Sequence, residues 1–172
     1  MILDTDILIW FLRGNQKAID FIMEAMPFSI SIVTYMELVQ GMRDKRELAK
    51  MKKAFVEMGV EIIPLSESIS LRASDYVEMY SLSHSMEMAD ALIASTCIEE
   101  NETLITANDK HYRVVEGLRV KNCSLSLLFP SCKTDILLVA RYRSKVRVLR
   151  DEALSITVSA TDRTESDINI GL

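Results

Sequence analysis

Five carboxylates in this chain sit in stretches that are otherwise free of charge. Asp4 and Asp6 are the sole charged residues within positions 1–12, and Glu37 is the sole one within 25–42. Asp90 is alone in the run 88–98, and Asp109 follows the uncharged residues 103–108. A carboxylate in an apolar segment is costly to bury unless it is paired, protonated or bound to a metal. The sequence places few cations beside these residues, so the set reads as a group that converges on a shared cation.

Electrostatics sharpens that reading. Two carboxylates about 4 Å apart repel by about 4 kcal/mol at an effective dielectric near 20, and every further acid adds to this. Oxygen donors with no His or Cys nearby select Mg²⁺, with Mn²⁺ as a substitute, over zinc. An ion of that kind, retaining some of its waters, suits phosphodiester hydrolysis: it polarises the phosphate, acidifies a bound water and stabilises the leaving oxygen.

The elements that must carry these acids follow from local patterns. Residues 1–3 read as a buried strand ending at Asp4, and Arg13-Gly14-Asn15 as a helix stop with Asn15 capping the next helix. Residues 28–32 alternate as a strand. Thr34 then resembles an N-cap with Glu37 three residues on. An amphipathic helix is expected over 45–58, a strand over 60–63, a long helix opened by Ser66, and another over 87–100. Strands follow at 103–106 and 118–120. Alternating strands and helices predict an α/β fold, a three-layer sandwich around a parallel sheet. Ligands of such sheets bind beyond the carboxyl ends of the strands, where Asp4, Glu37 and Asp109 fall. Asp90 begins its helix on the face continued by Ile93, Ala94 and Cys97, which turns its carboxylate towards the sheet.

At these residues the chain resembles the PIN-domain ribonucleases, and within them the VapC toxins of toxin–antitoxin pairs. The matching stretches are Leu3-Asp-Thr-Asp-Ile-Leu-Ile9, Thr34-Tyr-Met-Glu-Leu-Val-Gln-Gly41, Asp90-Ala-Leu-Ile-Ala94 and Leu104-Ile-Thr-Ala-Asn-Asp-Lys-His111. The resemblance implies Mg²⁺/Mn²⁺-dependent endonucleolytic cleavage of RNA, a homodimer, and a small VapB-like antitoxin that blocks the site and binds its own promoter. It puts Asp4, Glu37, Asp90 and Asp109 at the family's acidic positions. Asp6 falls where the family often has Asn or another polar residue, so it has two readings: a ligand through water, or the cap of a helix starting at Ile7.

Plainer roles are expected for the neighbours. Thr106 and Asn108 shape the loop of Asp109, His111 is a surface loop residue, and Trp10, Phe11 and Tyr35 pack. Arg13, beside the Asp4 helix, is a phosphate-holding candidate. The methionine-rich stretches 51–58 and 79–88 suit either core or a partner helix. Two competing functions account for the acids less well. In a haloacid-dehalogenase-type phosphatase, Asp4 would be the nucleophile and Asp6 the acid/base, leaving Glu37 and Asp90 without roles. A catalytically silent PIN-like module would have no reason to keep mutually repelling charges.

Composition sets the frame. With 172 residues, 49% hydrophobic and 26% charged, the chain suits one globular domain with an appendage. Three cysteines without CxxC spacing argue against a disulfide framework or a zinc site and fit a reducing, cytoplasmic setting. Asp4 and Asp6 interrupt what would be a signal peptide's apolar region, and no uncharged run approaches the ~20 residues that span a bilayer. A net charge of −5 does not advertise a nucleic-acid binder, but site acids that take up cations leave that balance. A nuclease domain is expected over 1–130. Residues 131–172 form an extension of unassigned role, expected to be weakly ordered, in which positions 133–150 carry six basic residues against one acid.

Overall fold

Strand β1 (Ile2–Leu3) is two residues long and fully buried, and the rest of the domain is arranged around it. The computed structural model describes residues 1–123, so the expected edge near Pro130, Cys132 and the basic stretch 133–150 lie outside the described residues. Around β1 stand β2 (Ser29–Ser31), β3 (Glu61–Ile63), β4 (Leu104–Thr106) and β5 (Val120–Asn122), in the order β3-β2-β1-β4-β5 and parallel throughout. Ile2 pairs with Ser29 on one side and Leu104 on the other. The chain moves one way from β1 to β2 and returns to the other side at β4. In such sheets a reversal of this kind marks the usual ligand position, which falls here at the carboxyl ends of β1 and β4.

Among the described residues, six helices cover the sheet: α1 (Thr5–Leu12), α2 (Gln16–Ala25), α3 (Ile32–Gln40), α4 (Lys45–Met58), α5 (Glu67–His84) and α6 (Met88–Glu99). Together they give the α/β/α sandwich that the alternation of patterns predicts. Helix α4 shows how locally this is written. Asp44 accepts from the amides of Arg46 and Glu47, and Gly59 closes the helix at φ 66°, a left-handed turn that glycine adopts without strain. Between them Met51, Ala54, Phe55 and Met58 form the buried stripe, each large side chain contributing about 1.5–3 kcal/mol by leaving water. Helix α6 is different: Ala91 and the whole run Ile93 to Cys97 are buried, because α6 lies between α5, α3 and the sheet. Its start is fixed by a capping box in which Glu87 and Asp90 serve each other's backbone amides.

Three boundaries differ from expectation. Helix α1 begins at Thr5 with Asp4 as its cap, rather than at Ile7 with Asp6, because the Asp4 carboxylate reaches the Thr5 amide directly. Helix α3 follows β2 without a loop: Ser31 is both the last strand residue and the N-cap, accepting from Val33 N at 3.3 Å. Thr34 is therefore inside the helix and fully buried, not its cap. Strand β5 starts two residues later than predicted, since Leu118 still closes a turn through its amide to Val115. The methionines divide: Met51, Met58 and Met86 are core, whereas Met79 and Met88 are exposed. Among the described residues no helix is long and apolar enough to cross a membrane.

Candidate active site

The backbone places the five acids on four segments. Asp4 ends β1 and caps α1, its Oδ1 accepting from Thr5 N at 2.7 Å. Its neighbour Thr5 turns its hydroxyl to the Glu37 carboxylate in the second turn of α3. Two residues after Asp4, Asp6 reaches the loop that leaves β4. Its Oδ2 accepts from Ala107 N at 2.9 Å, Asn108 N at 3.0 Å and Thr106 Oγ1 at 3.3 Å, while Oδ1 is buried without a partner. Asp90, in the first turn of α6, accepts from Glu87 N at 3.1 Å through Oδ2 and from the Tyr112 hydroxyl at 3.3 Å through Oδ1. The same hydroxyl faces Asp4. Asp109 opens the turn after β4 and is held by Arg113, whose Nε and Nη2 lie 2.9 and 2.7 Å from Oδ2.

The charges are not equivalent. Burial, and then the charge of Asp6, push the Asp4 carboxyl up to about 7, against the partial help of donors on Thr106, Thr5 and Tyr112. Burial also raises Asp6, offset in part by the amides of the β4 loop. Asp109 goes the other way: the exposed Arg113 guanidinium holds it below the usual carboxylate range. Tyr112 is raised by burial and by Asp4 and Asp90, so it remains a hydroxyl donor at physiological pH.

Asp4, Asp6, Glu37 and Asp90 are thus linked through Thr5, Thr106 and Tyr112, and each already leans on a protein donor. Among the described residues no group of three or more His, Cys, Asp or Glu side chains is arranged as a ready-made metal cage. The donor chemistry nevertheless fits a hard cation: all five offer carboxylate oxygens, one buried oxygen of Asp6 is unpartnered, and burial with the charge of Asp6 disfavours the ionised form of Asp4, which a cation would favour. Asp4 and Asp90 are the candidates for direct contact, with Glu37 beside Asp4. Asp109 has its charge compensated by Arg113, which the sequence reading overlooked although their i, i+4 spacing is the ordinary one for such pairs.

Asp6 fits neither of its two sequence readings as a whole. It is not the cap of α1, and its bonded oxygen clamps the β4 loop to the start of that helix. With Oδ2 saturated by three donors, it is also a poor general acid/base for the phosphatase alternative. His111 is tied through Nδ1 to the carbonyl of His84 at 3.1 Å, a structural contact at the end of α5. Phe11 is buried, and Trp10 and Tyr35 are half-buried, as packing residues should be. Arg13 is exposed and lines a groove of about 240 Å³ with Ile9, Leu12, Leu38 and Glu37. Tyr112 and Thr5 were missed. Tyr112 follows Asp109 by three residues within one turn, and only the fold brings it to Asp90.

Comparison with known proteins bears on the family and the fold. The family model of the PIN domain matches residues 1–117. No curated protein sequence matches the chain. Among solved structures, a toxin–antitoxin complex from Klebsiella pneumoniae is similar at 27% identity and TM-score 0.59, covering 70% of this chain and 95% of its own. VapBC2 from Rickettsia felis, bound to a DNA fragment from the promoter, is similar at 22% identity and TM-score 0.57, covering 70% and 96%. VapBC-1 from nontypeable Haemophilus influenzae is similar at 21% identity with the same TM-score and coverage.

Proposed function

The chain belongs to the PIN-domain family, and from that premise we propose that it is a Mg²⁺- or Mn²⁺-dependent endoribonuclease, the toxin of a VapBC-type pair. The observation that supports the reading is the linkage of Asp4, Asp6, Glu37 and Asp90, drawn from β1, α1, α3 and α6, through Thr5, Thr106 and Tyr112. A divalent ion bound there supplies the charge that offsets the phosphate and lowers the pKa of a bound water. Asp4 and Asp90 would hold it directly, and Glu37 and Asp109 would complete the shell and orient water. Asp6 keeps the Asp109 loop against α1. Arg13, exposed and lining the groove that also holds Glu37, is available to an RNA phosphate, whereas Arg113 is engaged with Asp109.

The partner reading has its own support. The similar Klebsiella pneumoniae structure is a toxin–antitoxin complex. The apolar groove formed by Ile9, Leu12, Leu38, Met42 and Met51 is also lined by Glu37, so an antitoxin segment seated in it would lie against a site acid. A second copy of the chain has exposed Leu71, Met79 and Leu82 on α5 to meet. With no membrane-crossing helix among the described residues, a cytoplasmic setting suits this pairing.

The test is direct. The purified chain should cleave RNA with Mn²⁺ and stop on adding EDTA, and Asp4→Asn and Asp90→Asn should each abolish cleavage with an unchanged circular dichroism spectrum. Wild-type rates in both variants would refute the assignment.

A further inference from the structure

Tyr112 connects three of the site's acids. Its amide donates to the Asp109 carbonyl at 3.1 Å, and its hydroxyl donates to Asp90 Oδ1 at 3.3 Å while facing Asp4. The ring is 2% exposed and belongs to the same core cluster as Ala91, Ile93, Ala94 and Val115. A phenylalanine would fill that space without bringing a polar atom inside. A buried hydroxyl needs a partner, and the partners here are site carboxylates rather than a backbone carbonyl or water-facing group. Asp90 has its other oxygen on the Glu87 amide, so the two bonds together fix the plane of its carboxylate.

We infer that Tyr112 is a positioning residue of the site: its hydroxyl holds Asp90 and Asp4 in the mutual orientation that a divalent ion requires, and its backbone ties the Asp109 turn to them. Tyr112 itself does not touch substrate. Groups that orient the ligands of a metal in this way are worth about 10–100-fold in affinity. The inference rests on the metal-dependent reading proposed above, and the experiment separates the two.

The full chain and its Tyr112→Phe variant are titrated with Mn²⁺ alone by calorimetry, melted without metal, and assayed on RNA across Mn²⁺ concentrations. Removal of one oxygen atom should weaken Mn²⁺ binding about 10-fold or more. Cleavage at limiting Mn²⁺ should fall by a similar factor and return to the wild-type rate at saturating Mn²⁺, with KM for RNA unchanged. Equal Mn²⁺ affinity in variant and wild type overturns the inference and leaves the site reading standing. A metal-free melting temperature lowered by more than about 10 °C places the hydroxyl in global stability instead, and also overturns it. Wild-type protein that binds no Mn²⁺ overturns the site reading, and this inference with it.

Discussion

Replacing Asp4 by Asn isolates the electrostatic cost of the site. The Asp4 carboxyl is pushed up to about 7 from an ordinary value of 3.8, mainly by burial and next by Asp6. An acid whose folded pKa exceeds its unfolded value leaves the native state holding the extra proton. Stability therefore falls as pH rises between those two values, by up to about 1.4 kcal/mol per pH unit. Across the window the loss approaches about 4 kcal/mol, complete above pH 7 and absent below pH 3.8. Asn is nearly isosteric and is as good an N-cap as Asp, so the bond to Thr5 N survives while the charge does not. In EDTA, Asp4→Asn should melt higher than wild type at pH 8, by about 5 °C or more for a chain of this size. The two curves should converge towards pH 4. Thermal melts monitored by circular dichroism at half-unit pH steps give the difference curve. A difference independent of pH, or a variant less stable at pH 8, would show that Asp4 carries no uncompensated charge and would sink this account of the site.

Three further outcomes are expected. Saturating Mg²⁺ or Mn²⁺ should stabilise wild type by about 2.7 kcal/mol at one hundred times the dissociation constant; the Asp4→Asn/Asp90→Asn double variant should lose most of that shift in a fluorimetric melt. Arg113→Ala should free Asp109 and tighten Mn²⁺ binding in calorimetry, while changing stability by less than about 1 kcal/mol because the guanidinium end of the pair is exposed; weaker Mn²⁺ binding would contradict the competing-cation reading. Truncation after Cys132 should leave folding and cleavage rate intact, since the acids and β5 all precede it; lost folding would refute dispensability. A reduced salt slope of RNA binding with an intact fold would instead assign residues such as Arg141, Arg143, Lys145, Arg147 and Arg150 to an RNA-gripping arm.

What could be read from the sequence was governed by range. Caps and stops act within four residues, so Asn15 and Ser66 were recognisable, and α4 was placed to the residue. Isolated acids in apolar runs were visible for a similar reason: the desolvation that makes them informative depends on immediate neighbours. Asp6 and Tyr112 were opaque because their partners come from elsewhere. The Asp6 clamp joins residues 102 apart, and the Tyr112 hydroxyl meets a helix 22 residues earlier. The Thr34 cap failed for a local reason of another kind. Ser31 offers the same chemistry three residues sooner, and nothing short of the strand's pairing tells which hydroxyl sits where extended backbone ends.

The central position of β1 bears on synthesis as well as on structure. Asp4 is synthesised about a hundred residues before its partners, for its strand is walled by β4, and its neighbour Asp6 is fastened to Ala107 and Asn108. A nascent chain exposed only as far as residue 100 would leave Asp4 in water, Asp6 unclamped and Asp90 without Tyr112. Domains generally fold as units once their long-range partners emerge. For a nuclease that would work on RNA, this topology is a built-in delay: the cutting centre cannot assemble beside the message and ribosome that are producing it until nearly the whole domain has been released from the exit tunnel.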